Sequence, residues 1–145
     1  MIHIWVANAA VVAVAVGIHY EFLYQLTRYL PRLKIKHRFR IVVGVFASLF
    51  AHALQIWIFA LAYYAMHHGE DWGKLAGNFS GSLTDAAYFS FTTYTTLGYG
   101  DIEPSGHLRF LAGIESLTGL VLITWTASFL YLEMRKDWSL HADDE

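Results

Sequence analysis

The chain has 145 residues, a formal net charge of −2, no cysteine, 56% hydrophobic residues and only 15% charged ones. That composition is too poor in charge for an ordinary soluble domain. It excludes a disulfide framework and thiolate metal sites, and it argues against a nucleic-acid binder.

In chain order, the first apolar stretch covers residues 4–26. At ~1.5 Å per residue it is long enough for a ~30 Å hydrocarbon layer. It has no basic residues ahead of it, so it reads as a retained span rather than a cleaved leader. It carries no arginine ladder, so it is no voltage sensor of the known kind. A basic run follows: Arg28, Arg32, Lys34, Lys36, Arg38 and Arg40. This holds six of the ten Lys and Arg, which predicts that residues 27–40 face the cytoplasm. The run is short and close to the membrane, so anionic lipid is its expected contact and nucleic acid is not.

A second apolar stretch covers residues 41–66, and residues 67–82 then have four glycines and loop composition. Ser82 or Thr84 can cap a helix over 85–94, with Asp85 in its first turn, where a negative charge suits the helix dipole. That helix, ~15 Å long, is too short to span and predicts a re-entrant element sheltered by protein or beside water.

Residues 95–101 read Thr-Thr-Leu-Gly-Tyr-Gly-Asp. Gly98 and Gly100 can reach conformations that a Cβ forbids, letting successive carbonyls point to one side. Aligned carbonyls are what a dehydrated monovalent cation needs in place of water. The third apolar stretch, 108–132, is followed by Arg135 and Lys136 and a short acidic tail ending at Glu145. The expected division is therefore a first span with its basic linker (1–40), a unit of two spans around the short helix (41–136) and a tail (137–145). Both termini follow from the charge pattern: N-terminus outside, C-terminus cytoplasmic. Glu70, Asp71, Asp101 and Glu103 would then gather cations at the outer face.

TTLGYGD resembles the selectivity filter of potassium channels, and the flanking stretches over residues 41–133 resemble their outer helix, pore helix and inner helix. The resemblance implies an all-α membrane protein: three transmembrane helices, a re-entrant pore helix and a filter, four copies around one pore. It implies potassium as the transported ion, with no other cofactor and no enzymatic reaction. Ligands would be the carbonyls of Thr96, Leu97, Gly98 and Tyr99 and the Thr96 hydroxyl, supported by Thr95, Gly100, Asp101, Tyr88, Phe89 and Thr92. The Tyr99 ring would pack against Tyr88 and Phe89, where many members have tryptophans. Many bacterial members have a glutamate at the position of Thr92, so Asp101 here lacks that partner. The resemblance also places a gating hinge near Gly119, with Gly113 as alternative, although a glycine in a membrane helix equally serves close packing. Leu120, Ile123, Ala127 and Tyr131 share one helical face, which makes Tyr131 a candidate constriction at the cytoplasmic mouth.

Several polar residues fall inside the apolar stretches. Glu115 is expected to bond to the pore helix at Thr92 or Thr93, although an intramembrane carboxylate is also a functional candidate. His19 and His52 should lie at similar depth, near Glu21. They read as satisfied packing polar groups, with a pH-sensitive latch as the sharper alternative. His107 at the outer mouth is a candidate pH modulator. Two other functions remain open: a small haem-binding redox protein using His19 and His52 as axial ligands, and a subunit that regulates another channel without conducting.

Overall fold

The computed structural model describes residues 2–142, and the last residues of the expected tail, Asp143 to Glu145, lie outside the described residues. Four helices dominate: α1 (Ile2–Tyr29), α2 (His37–His68), α3 (Leu83–Tyr94) and α4 (Leu108–Ala142). The helix α4 therefore continues ten residues past the end of the apolar stretch, through most of the expected tail. α1, α2 and α4 are each long and apolar enough to cross a membrane.

α1 ends where Pro31 would interrupt its ladder, and a 3-10 turn at Leu30–Arg32 leads into the basic linker. Arg40 braces that linker by donating to the Leu33 carbonyl at 3.0 Å. Buried α1 residues recur at helical spacing: Ile4, Asn8, Ala15, His19 and Leu23. They form one stripe, and the rest of the helix surface is exposed apolar side chain, as lipid contact requires. α2 lies at the centre and packs on α1, α3 and α4. The core runs through Phe59, Tyr63, Phe89, Tyr94, Leu108 and Leu111.

α3 begins as expected. Ser82 is its N-cap, and its hydroxyl accepts from the Asp85 amide at 3.1 Å. Asp85 in turn accepts from the Ser80 hydroxyl at 2.5 Å and the Ser80 amide at 2.8 Å. These two bonds, hydroxyl first, hold its carboxyl below the usual range.

One feature was not expected from the apolar pattern. Two short strands, β1 (Leu75–Gly77) and β2 (Ile102–Pro104), pair antiparallel, with Gly77 opposite Ile102. They join the loop before α3 to the chain after the TTLGYGD segment. Gly77 has φ +88°, and a Cβ there would overlap the Asp101 carbonyl oxygen. Only glycine permits this approach.

Candidate functional site: the segment after the short helix

The last turn of α3 supports the segment that follows. Thr95 N donates to Phe91 O at 3.2 Å, Thr96 N to Thr93 O at 3.0 Å and Gly98 N to Thr92 O at 3.0 Å. Beyond these bonds every second residue takes a left-handed φ: Thr96 +60°, Gly98 +53° and Gly100 +78°. Leu97 and Tyr99, between them, do not. Such alternation turns successive peptide planes so that carbonyl oxygens fall on one side and amides on the other.

The glycines were legible as left-handed positions, but Thr96 was not. A β-branched residue there is an outlier that costs roughly 1–2 kcal/mol. Strain of this kind persists only where the surroundings over-determine the backbone. Thr92, instead of facing a partner across the segment, donates its hydroxyl to Phe89 O at 3.0 Å. Thr95 does the same to Phe91 O at 2.8 Å.

Asp101 has a neighbour that the sequence did not suggest. Tyr88 stands beside it, and desolvation followed by this carboxylate raises the Tyr88 phenol above its usual range. Tyr99 makes no ring contact with Tyr88 or Phe89 among the described residues, although it stands near Tyr88. Tyr99 is 66% exposed, and Phe89 packs edge-on against Tyr63, ring centroids 4.9 Å apart. The physical reason is position: the segment lies at the margin of the chain, beside a cavity of about 400 Å³ lined by Phe89, Thr92, Gly98 and Gly113.

Glu115 is fully buried and meets the short helix, but at Ser90 rather than Thr92 or Thr93. Its carboxyl accepts from the Ser90 hydroxyl and from the Tyr63 hydroxyl, each at 2.5 Å. Thr93 instead offers its carbonyl to the Ser116 hydroxyl at 3.0 Å. α2, α3 and α4 are thus joined at one buried point.

His19 and His52 do lie at one depth, with ring centroids 5.4 Å apart. Gln55 and Thr126 each bridge the two rings. They occupy the space that a porphyrin would need, so the haem arrangement does not fit. Glu21 is exposed, takes no part, and accepts from Gln25. His107 is exposed on the same side as β2, as are Glu70, Asp71, Asp101 and Glu103. Leu120, Ile123, Ala127 and Tyr131 are all exposed along α4.

Gly119 is a packing glycine here, not a free hinge. A Cβ would overlap the carbonyl oxygen of Tyr94, the last residue of α3. Gly113 has open space around it. Gly119→Ala is therefore expected to push α4 off the end of α3 and cost about 1–3 kcal/mol, as overpacking does. Thermal unfolding in detergent checks this. Gly17→Ala, where nothing lies within 4 Å, should be neutral or stabilising by up to about 1 kcal/mol.

Gln55, Tyr94, Thr126, Tyr63 and Ser90 were not singled out from the sequence. An amide in the middle of an apolar stretch was the one available signal, at Gln55.

The model of a family described as "Ion channel" matches residues 41–135. Over 76 residues the chain is 40% identical to the inward rectifier potassium channel Kirbac3.1 of Paramagnetospirillum magnetotacticum. That match covers 51% of this chain and 24% of the relative, so the chain spans about a quarter of the relative's length.

Proposed function

The chain belongs to the ion channel family and is an integral membrane protein, and from that premise we propose that it is a potassium-selective pore built from four copies. The observation that carries the proposal is the alternating hand of Thr96, Gly98 and Gly100 within TTLGYGD. Four such segments facing one axis give rings of carbonyl oxygen from Thr96, Leu97, Gly98 and Tyr99. The Thr96 hydroxyl adds a further ring at the inner end. Together they replace the hydration shell of a potassium ion.

Four-fold assembly is supported by what one chain leaves bare. Tyr99 is 66% exposed, and Leu117, Leu120 and Val121 of α4 are 63%, 53% and 52% exposed. The cavity beside Phe89 and Thr92 has room to seat the Tyr99 ring of a neighbouring copy. Asp101, beside Tyr88, finishes the outer end of each filter segment.

The C-terminal end of α3, partly negative, would point at the central cavity and favour a cation there. The positive run 27–40 sits in the cytoplasm, near anionic lipid headgroups, and the acidic outer residues gather cations. Gating falls to α4: Tyr131 narrows the inner mouth, and Gly113 rather than the tightly packed Gly119 is the point free to bend.

Flux from liposomes containing this chain alone tests the reading. Potassium should pass far faster than sodium, and the solubilised protein should have the mass of a tetramer. Equal permeability to the two ions, or a stable monomer, overturns it. A tetramer that passes neither ion favours a regulatory subunit.

A further inference from the structure

We propose that His19 of α1 is a positioning residue for the filter, acting through a closed ring of five hydrogen bonds that ends on Tyr94. The proposal rests on the pore reading above and names how the extra helix would serve it.

The ring can be followed donor by donor. Thr126 Oγ1 donates to His52 Nε2 at 3.0 Å. His52 Nδ1 donates to the Tyr94 hydroxyl oxygen at 2.9 Å, with a second branch to Gln55 Oε1 at 3.2 Å. Tyr94 donates to Gln55 Oε1. Gln55 Nε2 donates to His19 Nδ1 at 2.9 Å. His19 Nε2 returns to Thr126 Oγ1 at 3.4 Å. These tautomers and this amide orientation are assigned from the network.

Each of the five members both donates and accepts around the ring, with the His52 branch to Gln55 Oε1 as an extra contact, and both imidazoles are neutral. No polar atom in the ring lacks a partner, which is the condition for a stable polar cluster at membrane depth. The ring draws one member each from α1, α3 and α4 and two from α2. Without α1 it cannot close: Gln55 Nε2 loses its acceptor and Thr126 Oγ1 loses its donor.

Tyr94 links the ring to the filter. It is 1% exposed and is the last residue of α3. Its carbonyl oxygen rests on Gly119 and its hydroxyl is held by the ring. Two residues later comes Thr96, the strained left-handed position. Such a conformation must be enforced from outside. Fixing Tyr94 at both its backbone and its side-chain tip is the enforcement available on the cytoplasmic side of the filter.

Three variants break the network at different points: Thr126→Val and His19→Leu open the ring, and Tyr94→Phe detaches Tyr94 from it while His52 Nδ1 keeps its branch to Gln55 Oε1. Thr126→Ser keeps the ring closed, since the hydroxyl remains. In potassium and sodium flux from liposomes, the three broken variants should lose about tenfold in potassium preference, roughly one buried hydrogen bond. Thr126→Ser should match the parent. Hydrogen–deuterium exchange over residues 92–98 provides a readout independent of conduction: exchange should rise in the broken variants and not in Thr126→Ser. If the parent itself shows no potassium preference, the pore reading fails and exchange alone judges the ring. Broken variants indistinguishable from the parent in exchange and in preference overturn the proposal, as does Thr126→Ser behaving like Thr126→Val. If His19→Leu fails to fold, Tyr94→Phe, which removes one oxygen atom, decides.

Discussion

Alanine at Gly98 or Gly100 is expected to abolish selective potassium conduction while leaving the protein assembled. The structure isolates the cause. Nothing lies within 4 Å of a Cβ built on either residue, so no clash inside the chain would unfold it. What alanine meets is the backbone: φ is +53° at Gly98 and +78° at Gly100. An L side chain in the left-handed region costs roughly 1–2 kcal/mol per residue. Four copies around one ring raise that to about 4–8 kcal/mol for each position. The segment relieves the strain by turning a peptide plane, and each turned plane removes one carbonyl from the line. Flux measurements on tetrameric mutant protein check this. A tetramer of Gly98→Ala that still prefers potassium would show that the left-handed backbone is not what aligns the ligands.

Glu115→Leu is expected to be the most damaging single change outside the filter. The carboxyl is 0% exposed and accepts from Tyr63 and Ser90. Leucine removes both acceptors. Ser90 can fall back on Ile56 O, which lies 2.8 Å from its hydroxyl oxygen and shares its single hydrogen with the carboxyl. Tyr63 has no such second bond among the described residues, and it is fully buried. Stranding its hydroxyl costs about 1–3 kcal/mol, and the poor shape match of leucine adds about 1 kcal/mol or more. Glu115→Gln retains an acceptor and should lose less. The double variant Glu115→Leu with Tyr63→Phe tests the cause, because removing both partners of a buried bond is nearly neutral. Thermal unfolding of the four proteins in detergent should place the double variant well above Glu115→Leu. No recovery would mean that the carboxyl acts by something other than satisfying Tyr63.

What the sequence carried and what it withheld divide along a physical line. The three long helices were legible because an uninterrupted apolar run of their length has few other uses. The start of α3 was legible because Ser82 and Asp85 solve a local problem, the unpaired amides of a first turn. Gly98 and Gly100 could be assigned because their residue type permits the conformation they adopt. Thr96 takes the same hand against its residue type, and nothing local announces that. Gly119 was readable as glycine, but whether it bends or packs depended on Tyr94, on another helix. The pairing of Gly77 with Ile102, the approach of Tyr88 to Asp101 and the Ser90–Tyr63 cradle of Glu115 are likewise contacts between distant residues. Position along one chain does not determine them. His19 and His52 were placed near each other by counting residues from the span ends, but counting could not supply Gln55 and Thr126 between them.

The small ribbon of β1 and β2 has a mechanical consequence. Residues 78–101 leave the ribbon and return to the place they left, where Asn78 N bonds Asp101 O at 2.8 Å. α3 and the TTLGYGD segment form a loop tied shut at its neck by main-chain bonds. Main-chain bonds carry the knot, from Ser105 N to Lys74 O at 2.8 Å and from His107 N to Trp72 O at 3.0 Å, and they hold position 73 to glycine, because a Cβ there would overlap the Ser105 carbonyl oxygen. A side chain at Gly73 would therefore spread the ribbon and loosen the neck of the loop. α4 meets the loop at its foot, where Gly119 lies against the Tyr94 carbonyl and the Ser116 hydroxyl donates to the Thr93 carbonyl. One end of the segment is tied to its own chain across the ribbon, and the other is geared to the helices.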